Sequence, residues 1–314
     1  MMNLFASTLC CLLILSAGPA TASKLNGFDV SNATVPASAI LRGGPPRDGI
    51  PALSQPHYIA AEKAAFLQAE DRVLGIVVDG VSLAYPIKIL NWHELVNDSV
   101  NGKPFLISYC PLCGTGIAFS ALVKGQRLEF GVSGLLYNSD VLFYDRQQDS
   151  LWSQILGEAI TGPLLGEKLR QLPLQHTSWK KWRADYPATR VLADKQGHRR
   201  DYRDDPYSGY EKSRALYFKV AHKAPRRYHT KERVLGVRLD NQTRAYPFIE
   251  LHKQGKATFT DQLAGQHYIV NWDADNNSAS ITDLKGTPLS STVAFWFAWY
   301  AFHPDTEIFE AGPR

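Results

Sequence analysis

The sequence is poor in sulfur and contains no long apolar run. Its 314 residues include only 4 cysteines and 2 methionines. The apolar stretch from Leu4 to Leu15 is shorter than the roughly 20 residues of a membrane-spanning helix, and no later stretch approaches that length. We therefore expect no transmembrane segment in the mature chain.

Several functional signatures are also missing. The chain has no Gly-rich phosphate loop, no G-x-S-x-G elbow and no H-E-x-x-H helix, which argues against nucleotide chemistry, serine hydrolysis and metalloproteolysis. No nucleotide cofactor is expected. A net charge of +4 over this length gives no nucleic-acid footprint. The densest basic stretches, 198–203 and 223–233, are interrupted by acids and aromatics, which favours a solvated connecting face over an anion-binding surface.

The N-terminus has the pattern of a secretory signal peptide. Its apolar run ends in small residues, and Ala20-Thr21-Ala22 supplies an A-x-A cleavage site. We predict a signal peptide over residues 1–22 and an exported protein, periplasmic or extracellular; a retained membrane anchor is the alternative. Cleavage near Ala22 leaves Cys110 and Cys113 as the whole thiol inventory.

Two segments of the chain recur. RVLGIVVDGVSLAYP, residues 72–86, returns as RVLGVRLDNQTRAYP, residues 233–247, at a constant shift of 161. WKKWRADYPATRV, residues 179–191, returns as WFAWYAFHPDTEI, residues 296–308, with Trp, Trp, Pro and Thr in register. A repeat present only twice predicts two pseudo-symmetric tandem halves and not a solenoid.

The repeat sets the predicted boundaries. They are an N-terminal extension over 23–69, a first half over 70–195, a connecting segment over 196–230 and a second half over 231–314. Neither half closes an obvious sheet alone, and the connecting segment is tyrosine-rich rather than Gly/Ser-rich. We therefore expect one integrated globular domain.

Turn pairs and apolar patterns predict mainly β-hairpins. Asp79-Gly80 and Lys124-Gly125 are turn pairs flanked by β-branched and apolar residues. Helical spacing is predicted for IKILNWHELVND, residues 87–98, and for TSWKKWRADYP, residues 177–187, which begins with a Thr or Ser N-cap. The predicted fold class is α+β, predominantly antiparallel β with short helices.

The stretch YCPLCGTG, residues 109–116, holds both remaining cysteines. A thioredoxin-type thiolate lies at a helix N-terminus, but the glycines that follow Cys113 disfavour a helix. We predict a β-turn in which Pro111 fixes φ and Gly114 takes a positive φ. Cys-Pro-x-Cys-Gly is the knuckle of rubredoxins and zinc ribbons. With one knuckle, histidine or carboxylate must complete a metal shell.

A polar segment upstream of the turn, NWHELVND, offers such ligands. On a helix, His93 and Asn97 lie one turn apart on one face, with Glu94 and Asp98 as an adjacent pair. The sequence therefore predicts a Cu(I) or Zn(II) site of Cys110, Cys113 and His93, with Glu94, Asn97 and Asp98 around it. The alternative is that His93 is a satisfied structural residue.

A further polar cluster lies within residues 133–154, in and beside a predicted strand pair. Because buried polar groups must be paired, one interpretation is a hydrogen-bonded turn network. The functional interpretation is that Asn138 and Asp140 line a pocket beside the thiols. The candidate residues of this cluster are Tyr137, Asn138, Asp140 and Asp145.

Long motifs of the chain resemble one family. NWHELVND, YCPLCGTGIAF, FGVSGLLYNSDVLFYDR, SLWSQ and FAWYAFHPDTEIF together resemble the bacterial and archaeal family named domain of unknown function 3179. The resemblance runs from about Gly43 to Phe309. It implies an exported protein with a single CPxC knuckle and implies no established activity.

Three functions are compatible with these residues. The first is binding of Cu(I) or Zn(II), because soft thiolates suit both ions. The second is a thiol-dependent redox enzyme in which Cys110 and Cys113 cycle. The third is a ligand-binding or hydrolytic module with His93, Glu94, Asp140 and Asp145 as acid–base groups. The expected partner is a small ligand or a metal ion.

Overall fold

The computed structural model describes residues 24–312, so the predicted signal peptide over 1–22 lies outside the described residues. Between residues 24 and 312 the α-helices are α1 Ile87–His93, α2 Trp179–Asp185, α3 Phe248–Gln254 and α4 Trp296–Phe302. Single 3-10 turns occur at Ala37–Ala39 and Ala61–Lys63. Within this range no helix combines the length and the apolar character needed to cross a bilayer.

Strands make up most of the regular structure. Up to the connecting segment they are β1 Lys24–Leu25, β2 Phe28–Asp29, β3 Ile40–Arg42, β4 Tyr58–Ala60, β5 Arg72–Val78, β6 Val81–Pro86, β7 Leu95–Val100, β8 Lys103–Cys110, β9 Thr115–Ser120, β10 Leu122–Val123, β11 Gln126–Arg127, β12 Phe130–Tyr137, β13 Asp140–Asp145, β14 Leu151–Ser153, β15 Glu158–Ala159, β16 Gln171–Leu172, β17 Gln175–Ser178 and β18 Arg190–Leu192. After the connecting segment they are β19 Arg233–Leu239, β20 Gln242–Pro247, β21 Thr258–Leu263, β22 Gln266–Asp273, β23 Ser278–Thr282, β24 Pro288–Leu289, β25 Thr292–Phe295 and β26 Glu307–Ile308.

The strands form mainly antiparallel sheets, so the predicted α+β class with short helices is confirmed. One sheet has the order β17-β5-β6-β18-β4 and another has the order β15-β14-β13-β12-β3. An eight-stranded sheet has the order β26-β20-β19-β25-β9-β8-β7, with β16 also paired to β9, and a four-stranded sheet has the order β21-β22-β23-β24. The parallel pairs between these strands are β6–β18 and β20–β26.

The two predicted hairpin turns are confirmed. Asp79 and Gly80 have φ of 49° and 76° between β5 and β6, and Lys124 and Gly125 have φ of 48° and 77° between β10 and β11. Positive φ at both central residues matches the twist of the strands that such a turn joins. The predicted helix after Thr177 is also present as α2, where Ser178 accepts a hydrogen bond from the Lys181 amide.

The helix predicted over 87–98 is shorter than expected. It ends at His93 because Glu94 takes a φ of 58°, outside the right-handed helical region. The next residues continue as strand β7, which pairs with β8 from Leu95↔Ser108 to Val100↔Lys103. The prediction that Asn97 and Asp98 share a helix with His93 was therefore wrong, because pairing with β8 outweighs the helical spacing.

Equivalent positions of the repeated segments make equivalent contacts. A Cβ at Gly75 would overlap the Trp182 indole, and a Cβ at Gly236 would overlap the Trp299 indole. The indole N–H of Trp182 donates to the Thr189 hydroxyl at 2.9 Å, and that of Trp299 donates to the Thr306 hydroxyl at 3.0 Å. In both places a glycine in a strand leaves room for the indole of a tryptophan from a later helix, α2 for β5 and α4 for β19.

Strands and side chains join the two parts of the chain. β25 pairs with β9 at Val293↔Gly116, so strands from both parts lie in the eight-stranded sheet. The turn around Asn276 provides a second junction: its carbonyl oxygen accepts from Arg72 at 2.7 Å and its amide oxygen accepts from the Ser178 hydroxyl at 2.6 Å. This turn aligns in sequence with the cysteine turn and has Asp273 and Asn276 where the cysteines stand.

Candidate functional site

The cysteine segment is a tight turn between two buried strands, as predicted. β8 ends at Cys110 and β9 begins at Thr115, and the Cys113 amide donates to the Cys110 carbonyl at 3.2 Å. Gly114 has a φ of 58°, and a Cβ there would lie 2.7 Å from the Phe295 ring. Both the conformation and the close approach therefore require glycine. The turn leaves the two sulfurs on the same side.

A second hairpin brings a carboxylate to the sulfurs. Asn138 and Ser139 form the turn between β12 and β13 with φ of 52° and 68°. The Ser139 carbonyl oxygen lies 3.8 Å from Cys110 Sγ and 3.3 Å from Cys113 Sγ. One ligand atom each from Cys110, Cys113 and Asp140 lies within 4.8 Å of the others. We call these three residues the thiol–carboxylate centre.

The centre lies inside the protein. Cys110 is 1 % exposed, and Cys113 and Asp140 are both fully covered. Burial raises the pKa of both thiols, that of Cys113 well above its ordinary value. Burial also raises the pKa of Asp140 to about 7, although the Ile155 amide donates to its Oδ2 at 3.0 Å and partly offsets this. Without a cation, the centre therefore favours protonated, uncharged groups.

Glu94 adds a second buried carboxyl near the centre. Its carbonyl oxygen accepts from the amide of Tyr109, the residue before Cys110, at 2.7 Å. Burial raises its pKa to about 8, and the charge of Asp140 contributes in the same direction. Like-charged carboxylates in one buried region resist simultaneous ionisation. A bound cation would remove that conflict.

Several polar atoms around the centre have no hydrogen-bond partner. They are Asp140 Oδ1 and four further oxygens, on the β12–β13 turn, at the end of β14, just after β14 and on the connecting segment: Ser139 Oγ, Ser153 Oγ, Gln154 Oε1 and Tyr210 Oη. Tyr210 packs in the same buried cluster as both cysteines. An unpaired buried polar group costs about 1–3 kcal/mol. A polar or ionic guest at the centre would give a partner to Asp140 Oδ1, the unpaired atom that belongs to the centre itself.

His93 does not join the centre. Its Nδ1 lies 2.7 Å from the Pro51 carbonyl oxygen and its Nε2 lies 2.7 Å from the Tyr202 hydroxyl. These contacts fit a neutral imidazole, in which Nδ1–H donates to the Pro51 carbonyl and Nε2 accepts from the Tyr202 hydroxyl. Burial lowers the pKa of His93 to about 4, which fits this arrangement. The structure does not bring His93 to the sulfurs, and the alternative of a satisfied structural histidine describes its contacts.

Asn97 and Asp98 also lie apart from the sulfurs, on β7. Asn97 exchanges two hydrogen bonds with the backbone of Phe130, at 2.8 Å and 2.7 Å. Asp98 accepts from the hydroxyls of Tyr58 and Tyr85, the latter at 2.5 Å. Both side chains therefore form hydrogen bonds that link β7 to residues of other strands.

The cluster predicted within 133–154 divides into two parts. Asp140 faces the thiols, whereas Asp145 accepts from the Trp152 indole at 3.0 Å and from the Gln148 and Ser150 amides. Asn138 donates to the Ala301 carbonyl at 3.2 Å and accepts from the Ala221 amide at 2.8 Å. The ring of Tyr137 packs on Phe302 at 5.5 Å. The network interpretation therefore describes Asn138 and Asp145, and the functional interpretation fits Asp140.

The connecting segment covers the centre, which the sequence did not predict. No helix or strand lies between Leu192 and Arg233, yet Tyr210 is buried against the cysteines. The Lys231 ammonium donates to the carbonyls of Ser213 and Ala215, the latter at 2.7 Å, and lies 3.9 Å from the centre of the Tyr210 ring. The tyrosine-rich composition of the segment was the available signal, because large aromatic rings tend to be buried in a core.

The whole centre lies within a region that matches a known family. The family model described as "Protein of unknown function (DUF3179)" matches residues 47–287. The chain belongs to the DUF3179 family. The resemblance noted in the sequence is thus confirmed, and the match includes the cysteine turn, the Asp140 hairpin and the covering segment of this DUF3179 protein. No curated protein and no solved structure matches the chain.

Proposed function

We propose that this DUF3179 protein binds one metal ion at the thiol–carboxylate centre, with Cys110, Cys113 and Asp140 as ligands. The observation that carries the proposal is the meeting of three ligand atoms within 4.8 Å in a region where Asp140 Oδ1 and the surrounding oxygens have no hydrogen-bond partner. A metal ion replaces the thiol protons and neutralises the buried carboxylate, so it relieves the unfavourable charge that burial imposes.

Zinc fits the ligand set better than Cu(I). Zn(II) accepts both thiolate and carboxylate at bond lengths of about 2.3 Å and about 2.0–2.2 Å, whereas Cu(I) favours sulfur alone. Three protein ligands leave a fourth tetrahedral position, and a zinc site with one open position is suited to binding water or substrate. Tyr210, whose hydroxyl has no hydrogen-bond partner, packs in the same buried cluster as both cysteines.

Elemental analysis combined with thiol titration tests the proposal. Protein prepared anaerobically should contain about one zinc per chain, and Cys110→Ser, Cys113→Ser and Asp140→Asn should each reduce zinc affinity by 10-fold or more. His93→Gln and Asp273→Asn, the latter in the aligned turn without thiols, should retain zinc. Retention of zinc by both cysteine variants would overturn the proposal.

A thiol–disulfide oxidoreductase is the second candidate. It is supported by two free cysteines next to a buried carboxyl that can exchange protons with them. The co-reactant would be a protein disulfide: one thiolate attacks it to form a mixed disulfide, and the other closes Cys110–Cys113. The cysteine pair loses two electrons, and the partner leaves as a dithiol carrying both protons. Two thiols titratable only after mild reduction, together with no zinc, would favour this candidate.

We also propose a history and a location for the chain. The equivalent glycine–tryptophan contacts at Gly75 and Gly236 support a duplication that produced pseudo-symmetric halves over 70–195 and 231–314. The shared sheet pairing supports one integrated domain with the 23–69 extension and the 196–230 segment. Export after cleavage near Ala22 rests on the sequence pattern. N-terminal sequencing of the mature protein from fractionated cells tests the location.

A further inference from the structure

A cavity of about 900 Å³ lies between the connecting segment and helix α4. Its walls are largely aromatic and aliphatic, formed by Leu216, Phe218, Val220, Tyr228, Trp296 and Phe297. Such a volume and apolar lining are typical of sites for small organic ligands.

All charged residues in the lining carry the same sign. Arg214, Lys219, Lys223 and Arg226 line the cavity, and no aspartate or glutamate does. Among the described residues, none of these four forms an ion pair with a carboxylate. Other basic side chains nearby are paired, as Arg227 is with Glu310 and Arg233 is with Glu211. The lining of this cavity therefore combines four basic side chains with no carboxylate to pair with them.

The cavity adjoins the buried cluster that contains the cysteines. Phe297 lines the cavity and also packs in that cluster, and so do Leu216, Phe218 and Val220 of the connecting segment. The segment thus has the thiol–carboxylate centre on one side and the cavity on another. A ligand in the cavity would contact the cover of the centre.

We propose that this cavity binds a small amphipathic anion, an organic acid whose acidic group meets the basic residues and whose apolar or aromatic body fills the interior. The uncompensated cations select against a neutral ligand, and the apolar walls select against a bare inorganic anion. This site draws on the basic stretch 223–233, which the sequence alone assigned to a solvated face. It stands independently of metal binding.

Two fluorescent probes that differ in one charged group provide the test. 8-Anilino-1-naphthalenesulfonate carries a sulfonate, and N-phenyl-1-naphthylamine is its uncharged analogue. The wild-type protein should bind the sulfonate at one site, more tightly than the amine, and added salt should weaken only the sulfonate. Lys219→Gln combined with Lys223→Gln should weaken sulfonate binding by about 5-fold or more and leave amine binding unchanged.

Two further variants complete the experiment. Phe218→Ala should weaken both probes, because it removes part of the apolar wall. Lys212→Gln changes an exposed cation of the same segment that does not line the cavity, and it should bind like the wild type. Equal sulfonate binding by the wild type and the Lys219/Lys223 double variant, or no saturable sulfonate binding by the folded wild type, would overturn the proposal. Circular dichroism and thermal melting establish that each variant is folded.

Discussion

At the scale of single residues, local chemistry predicted the cysteine turn and a pocket with Asp140 beside the thiols, but it grouped His93, and not Asp140, directly with the two cysteines. Pro111 and Gly114 specify a tight turn wherever it lies, so the conformation of CPLC follows from the sequence. Which carboxylate meets the sulfurs depends on how the β12–β13 hairpin packs on the β8–β9 hairpin. That packing is tertiary, and no local pattern distinguishes Asp140 from Asp145. His93 was misleading for the same reason, since its partners Pro51 and Tyr202 are distant in sequence.

The proposal that Asp140 is a zinc ligand leads to a prediction about zinc and stability. A ligand that binds only the folded state stabilises it by about 2.7 kcal/mol at 100 times its dissociation constant. Wild-type protein should gain about this amount with zinc, whereas Asp140→Asn should gain much less at the same zinc concentration. Asp145→Asn should lower the starting stability, since it weakens a hydrogen-bonded turn, but should keep the gain. Chemical denaturation with and without zinc measures both quantities. Equal gains in both variants would contradict the assignment.

The buried neutral state of His93 leads to a prediction about acid. Burial lowers its pKa to about 4, from 6.5 for an ordinary histidine. As the pH falls below 6.5, the unfolded chain binds a proton at this position before the folded chain does, so the folded state loses stability. Between pH 7 and pH 5 the wild type should lose on the order of 1–2 kcal/mol more than His93→Gln. Exposed His252→Gln should follow the wild type. Parallel pH profiles for the wild type and His93→Gln would show that His93 contributes nothing.

At the scale of elements, the connecting segment shows how an irregular chain can be held in place by side chains. It has no ladder of backbone hydrogen bonds, and side chains from outside fasten it. Among them, Lys231 binds the carbonyls of Ser213 and Ala215, Asn138 binds the Ala221 amide, and the Trp296 indole donates to the Pro225 carbonyl. Helices and strands have periodic sequence patterns that predict them, but anchoring of a segment by single side chains leaves no periodic pattern in the sequence. This is why α2 was predicted correctly and the cover over the thiols was not.

Release of the Lys231 anchor should expose the thiols. Lys231→Met keeps an apolar stem but removes two charge-assisted hydrogen bonds, each worth about 1.5–3 kcal/mol, and the contact with the Tyr210 ring. The reaction of Cys110 and Cys113 with a thiol reagent should accelerate by about 10-fold or more, because the segment opens more often. Lys212→Met, an exposed lysine of the same segment, provides the control. Stopped-flow measurements with metal-free protein give the rate, and an unchanged rate in Lys231→Met would exclude the anchoring role.

At the scale of the whole molecule, self-comparison of the sequence was more informative than any single motif. The repeat identified the equivalent positions, Gly75 with Gly236 and Trp182 with Trp299, and the structure shows that each glycine contacts its tryptophan. It could not show that β25 pairs with β9, since this pairing joins different repeats. Residues that form contacts within a repeat recur in both copies, so comparing the copies identifies them. Residues that form contacts between the repeats have no second copy to compare.

The shared sheet predicts that the two parts unfold together. Gly75→Ala and Gly236→Ala each place a methyl group against a buried indole, and overpacking of this kind costs about 1–3 kcal/mol. Both variants should move one common transition, seen alike by circular dichroism and tryptophan fluorescence. Gly312→Ala, which meets open space, should have little effect. A second transition that shifts in only one variant would show that the parts unfold independently.

The turn around Asn276 has a consequence for how the protein can change. Its backbone and side-chain oxygens bind Arg72 and Ser178, so this turn joins the two parts of the chain, whereas the aligned turn carries Cys110 and Cys113 next to Asp140. Cysteines placed at Asp273 and Asn276 should therefore weaken the junction between the two parts, because the Asn276 side chain that accepts from Ser178 would be lost.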